Sequence, residues 1–178
     1  MLVEGCVCAW VPRLHTRTRL LVILHAAEAK KPTNTGRLAA LCLDDSRVLV
    51  RGRPHEPLDL AFLGERRAVV LCPDGDATLV HAVSEPITLV VPDGSWRQAS
   101  KMPRREPMLR DLPRVKLPPI PARGAALRRE TKDNGLATFV AVAHALGIIE
   151  DPAIERAMLQ FYDLVADRIL RAREGQRT

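Results

Sequence analysis

PITLVVPDGSWRQA, residues 86–99, joins an apolar run to a polar turn and then to a helical pattern. From Ile87 to Val91 only Thr88 is polar, so both faces of the run avoid water. That is the mark of a strand buried in a parallel sheet rather than of an exposed hairpin. The run closes on Asp93, Gly94, Ser95 and Trp96, one of two tryptophans in the chain, and Arg97 follows at once. Asp-Gly is ordinary turn chemistry and Ser95 suits a helix N-cap, a position for which Asp93 competes. An acid, a hydroxyl and an indole grouped at a strand end also suit a binding site. SWRQASKM, residues 95–102, reads as helix up to Pro103, whose ring must kink it or begin a new turn.

Three further runs share the character of 86–91: TRLLVILHA at 18–26, RVLVR at 47–51 and RAVVLC at 67–72. Between the first two, KKPTNTGRLAALCL, residues 30–43, has a loop signature feeding an apolar helical run. Six of the fourteen prolines fall between Pro103 and Pro121, which predicts an extended loop around one short strand, RVKL. A helix is expected from Gly135 to Leu146, and the last one is the clearest. Asp151 is a good N-cap, Pro152 fits the first helical position, and Ile154, Met158, Phe161, Val165 and Ile169 repeat at helical spacing. Strands alternating with helices predict an α/β fold with a mainly parallel sheet and flanking helices.

The chain has 178 residues, 47% of them hydrophobic, enough for one ordinary domain with a proper core. Aromatics make up 3%, so the core must be mainly Leu, Val, Ala and Ile. Cys6, Cys8, Cys42 and Cys72 form no CxxC pair, and the first residues lack the basic-then-apolar pattern of a secretory signal, so a reduced, cytoplasmic protein is expected. No apolar run approaches the 18 or so residues of a membrane span. Net charge is +6 with a pI near 9.6, unevenly spread. From Arg97 to Arg129 ten Lys or Arg stand against Glu106 and Asp111 alone. Such a concentration suits a polyanion such as RNA, and equally suits a solvated basic face.

In open α/β sheets ligands bind beyond the carboxyl ends of the strands. The polar clusters fall there: HAAEAKKPTNTGR after the first strand, CPDGDA after the run at 67–72, PDGSWR after the run at 86–91. Each alone is a well-made turn, and together they predict one crevice. His25, His55, His81 and His144 have no metal-ligand spacing.

On these residues the chain resembles the DTW-domain family of transfer RNA uridine aminocarboxypropyltransferases, related to SPOUT-like proteins that bind S-adenosylmethionine. Asp93, Gly94, Ser95 and Trp96 stand at the family's Asp-Gly-Thr-Trp element, with Ser for Thr. EAKKPTNTGRL at 28–38 and CPDGDA at 72–77 look like two more family segments, and LPRVKL and LRRE follow in the family's order. The resemblance runs from about Cys6 to the last helix. It implies one DTW domain over 1–178, with an N-terminal part over 1–66 and a SPOUT-like, cofactor-binding part over 67–178, knotted in the C-terminal half. Members often carry four N-terminal cysteines; only the CVC half is present here, and two thiolates one residue apart make no tetrahedral site, so no metal is expected. Val140 stands where the family carries a carboxylate, and Ala26 follows His25 where proline is common.

The reaction the resemblance implies moves the 3-amino-3-carboxypropyl group of S-adenosylmethionine to N3 of a uridine in tRNA and leaves methylthioadenosine. Asp93, beside a buried Trp96, is then the group at the N3 proton, with attraction for the sulfonium. Leu71, Pro73, Gly75, Val91, Gly94, Ser95 and Leu127 are expected to cradle the donor, largely through main chain. Trp96 stacks on adenine or on the uridine, or is simply core, and Thr138 meets the adenosine or packs its methyl against the sheet. Arg128 and Arg37, with the Thr33–Thr35 loop, are candidate partners for the donor's carboxylate or for phosphate. Asn34, Thr35, Arg37, Arg97, Lys101, Arg104 and Arg105 are expected to contact RNA, the last four sharing one helical face. Glu28 with Lys30 or Lys31 would support the Asn34 loop. Two alternatives stay open: an RNA methyltransferase using the same donor, and a non-catalytic RNA-binding module. No membrane and no obligate protein partner are expected.

Overall fold

The computed structural model describes residues 6–31, 34–53, 55–79, 81–120 and 136–174. Six strands form one sheet: β1 (Arg19–His25), β2 (Ser46–Arg51), β3 (Ala68–Leu71), β4 (Ala77–Thr78), β5 (Thr88–Asp93) and β6 (Arg114–Lys116). Their order is β2-β1-β5-β3-β6-β4, and every pairing is parallel. The helices are α1 (Thr35–Leu41), α2 (Trp96–Arg105), α3 (Pro107–Arg110), α4 (Thr138–Ile149) and α5 (Pro152–Glu174), with single 3-10 turns at Cys8–Trp10 and Ala61–Leu63.

β1 and β5 lie side by side at the centre, which is why both are apolar on both faces. Alternation divides their side chains between two cores. Leu20, Val22, Leu89 and Val91 pack with α1, α4 and α5, where Phe139, Phe161 and Tyr162 gather. Leu21, Ile23, Val70 and Val90 pack on the other face with Met102 of α2 and Leu109 of α3. The α4–α5 pair is close because Gly147 offers no Cβ where Glu155 crosses. As the sequence predicts, Asp151 caps α5, its carboxylate accepting from the Ala153 N–H at 2.6 Å.

Four expectations need correction. β5 continues through Pro92 to Asp93, two residues past the apolar run. The Thr88 N–H bonds the Arg67 carbonyl on the β3 side, so by alternation the missing N–H of Pro92 falls on that side too. β3 still runs there, to Leu71, but its last β5 partner is Val90: Pro92 has no N–H for the next ladder bond, so the pairing ends at that point. In α2 the helix passes Pro103, whose ring removes the N–H that would bond the Ala99 carbonyl, and ends two residues later at Arg105. The helix expected at Gly135–Leu146 runs instead from Thr138 to Ile149. Trp96, expected to be buried, is 40% exposed: α2 begins beyond the end of β5, so its first turn has no sheet beneath it.

Among the described residues, no helix is long and apolar enough to cross a membrane.

Candidate active site

Asp93 ends the central strand and is 5% exposed. A carboxylate removed from water needs donors, and two elements supply them. Asn34 Nδ2 donates to Oδ2 at 2.7 Å, and the Thr138 hydroxyl donates to Oδ1 at 2.7 Å. Asn34 is the N-cap of α1, its Oδ1 accepting from the Arg37 N–H at 2.9 Å, so its amide is fixed at both ends. Thr138 opens α4. The carboxylate thus lies against the first turns of two helices, where exposed N–H groups favour negative charge.

Gly36 completes this arrangement. A Cβ there would collide with the Asp93 carboxyl group and approach the Val22 side chain to 3.0 Å. The Asn-Thr-Gly sequence therefore combines a cap that grips Asp93 with a glycine that gives it room.

Asp93 is not the cap of α2. Ser95 is, accepting from the Gln98 N–H while the Gln98 side chain returns to the Ser95 N–H at 2.8 Å, a complete capping box. The Ser95 N–H is thereby spent within the protein. The Gly75 N–H is spent likewise on the Cys72 carbonyl at 3.2 Å, so neither serves as a free main-chain donor to a ligand. Gly75 owes its place to packing: a Cβ would strike the backbone of Val115 and Lys116 in β6. Leu71 and Val91 point into the core with α1 and α4, leaving only their backbone toward the strand ends. Pro73 is exposed on the turn that follows β3.

The residues expected to meet RNA divide. Asn34 is buried with its amide committed, so its side chain is not a surface contact. Thr35 is half-buried beside it and Arg37 is exposed. Arg97, Lys101 and Arg105, one helical turn apart in α2, line a pocket of about 300 Å³ with His25 and Arg51. Arg104 does not join them; it is paired with Asp74 at 3.1 Å. Glu28 is buried and paired with Lys31 at 2.5 Å, while Lys30 is outside that pair. Thr33, Leu127 and Arg128 lie outside the described residues.

Three participants were missed from sequence: Gly36 against Asp93, and His25 and Arg51 in the pocket. The last two were within reach of the rule that ligands bind at strand ends, since they are the final residues of β1 and β2 and are paired in register. Among the described residues no group of three His, Cys, Asp or Glu is placed to hold a metal ion.

Residues 1–170 match the DTW domain. The chain belongs to the DTW-domain family. The chain is 27% identical over 157 residues to tRNA-uridine aminocarboxypropyltransferase 2 of Macaca fascicularis, covering 82% of this chain and 53% of that protein. To the protein of the same name in Drosophila melanogaster it is 25% identical over 170 residues, 86% of this chain and 67% of that one. The Mus musculus protein is 27% identical over 157 residues, again 53% of its length. The chain therefore spans about half the length of the two mammalian relatives and two thirds of the fly one. No solved structure matches it.

Proposed function

We propose that this protein is a tRNA-uridine aminocarboxypropyltransferase that uses S-adenosylmethionine as group donor. The observation that carries the reading is the DTW domain over residues 1–170, together with similarity to relatives that bear this activity in their names. In the balanced reaction, uridine N3 loses its proton and bonds the methylene carbon that joins the donor's aminocarboxypropyl arm to its sulfur. The carbon–sulfur bond breaks, and methylthioadenosine leaves as a neutral thioether. The donor, when bound, supplies a carbon already activated by its sulfonium.

The chain's own residues then have two tasks, positioning and proton removal. Asp93 accepts the N3 proton: each carboxylate oxygen receives one hydrogen bond and keeps a lone pair. Asn34 and Thr138 orient it, and Gly36 admits it. In this reading the donor lies at the strand ends where the β3–β5 pairing stops, against the backbone of Leu71, Pro73, Val91 and Gly94, with exposed Trp96 and Thr138 beside it. Thr35, Arg37, Arg97, Lys101 and Arg105 face the RNA, whereas the charge of Arg104 is offset by Asp74. The same reading gives a SPOUT-like topology, a knot in the C-terminal half, and a cytoplasmic enzyme whose thiols stay reduced.

Unmodified tRNA incubated with S-adenosylmethionine labelled either in its carboxyl carbon or in its methyl tests the assignment. Carboxyl label on uridine in the digested nucleosides is the expected result. Methyl label alone makes the protein a methyltransferase, and no label despite RNA binding makes it a binding module.

A further inference from the structure

β1 and β2 end side by side at His25 and Arg51, and α2 sets out beside them from the end of β5. The pocket between has Met102, 2% exposed, as its one apolar wall. Arg97, Lys101 and Arg105 project into it from α2, and among the described residues none of the three is paired with an acid. Arg51 completes the set, its Nε 3.1 Å from Glu106 Oε2, with both side chains partly buried. Four cations thus line the pocket, and Glu106 holds one of them in place.

A pocket of about 300 Å³ with this lining does not suit an adenine or a uracil, which seek a mostly apolar or aromatic slot. It suits one tetrahedral oxyanion gripped by guanidinium forks and an ammonium. Its place relative to Asp93 narrows the choice. By strand alternation the Asp93 carboxylate lies on the sheet face of α1 and α4, and the pocket lies on the face of α2. Only the Gly94–Ser95 turn separates them, and a Cβ on Gly94 would come within 3.3 Å of His25 Cβ. We infer that the pocket is a subsite for one backbone phosphate of RNA, the one adjoining the acceptor uridine. A single nucleotide then straddles the carboxyl end of β5, phosphate toward α2 and base toward Asp93. This rests on tRNA being the substrate.

The test is binding of an unmodified tRNA transcript over a range of KCl concentrations, by wild type, Arg51→Gln, a triple variant (Arg97→Gln, Lys101→Gln, Arg105→Gln) and Arg104→Gln. Each phosphate that the protein no longer neutralises lowers the slope of log K against log salt by roughly 0.7–0.9. We expect the triple variant to fall by about one such unit, Arg51→Gln by part of it, and Arg104→Gln by little. In wild type, one methylphosphonate moved stepwise along a stem-loop should weaken binding sharply at one position, and the triple variant should be indifferent to it there. The proposal is overturned if the triple variant keeps the wild-type slope or falls no further than Arg104→Gln. It is equally overturned if the variant weakens S-adenosylmethionine binding and leaves the RNA slope intact, since the pocket then holds the donor's carboxylate. A reduced slope together with no label transfer by wild type would sustain the subsite and sink the transferase reading.

Discussion

Charge and shape can be separated at Asp93. Asp93→Asn keeps the outline, and its amide can be accommodated: the oxygen stays on Asn34 Nδ2, while the new NH₂ meets the Thr138 hydroxyl, which reverses to accept. Losing two charge-assisted bonds costs about 1–3 kcal/mol, visible in urea unfolding and compatible with a folded protein. If Asp93 takes the N3 proton, turnover falls by about 10²–10⁴, while donor affinity, followed by calorimetry, falls only by the lost attraction for the sulfonium. Turnover within a few-fold of wild type would reduce Asp93 to a positioning residue. Gly36→Ala tests the same carboxylate from the opposite side. In an open helix this change adds about 1 kcal/mol of stability. Here the added methyl meets the Asp93 carboxyl and Val22, and Asp93 is tied at both oxygens and cannot yield cheaply. Overpacking of this kind costs about 1–3 kcal/mol, so the net expectation is a less stable protein with an ill-placed Asp93. A rise in the urea midpoint would contradict it.

The turn after β3 owes its shape to β6. Gly75 passes so close to Val115 and Lys116 that a methyl would meet backbone on both, and strand backbone does not swing aside as a side-chain tip does. Gly75→Ala should therefore destabilise by about 1–3 kcal/mol and lower donor affinity with it, measured by urea unfolding and calorimetry on the same preparation. A variant that unfolds like wild type would mean that this turn is free to shift. Long elements were legible in the sequence for a simple reason: β1, β5 and α5 bury enough side chains for their periodicity to show. β4 is two exposed residues and left no such trace. Pro103 reads as a breaker because the rule for proline is local, yet α2 runs two residues beyond it. The site was half legible. Asp93, Thr138 and the Asn-Thr-Gly stretch were singled out, but that Asn34 and Thr138 both grip Asp93 is a contact across 59 and 45 positions, which spacing does not encode.

Across the molecule as a whole, each core holds one thiol: Cys42 on the α1, α4 and α5 face, Cys72 on the α2 face. Burial pushes both up from 9.0 to about 12, with the Asp74 charge adding to the effect on Cys72. In the unfolded chain these thiols release their protons near pH 9; in the native protein they keep them well above it. The native state then binds more protons than the unfolded one, and stability falls as pH rises. The contribution is fully present below pH 9 and is lost between about 9 and 12. Lysine and tyrosine titrate in the upper part of that window, so the comparison belongs at about pH 8–10 and between variants. Cys42→Ala with Cys72→Ala should lower stability throughout, since two buried groups are removed, yet decline less steeply than wild type above pH 9. Equal slopes in thermal melts would mean that the buried thiols do not carry the alkaline loss.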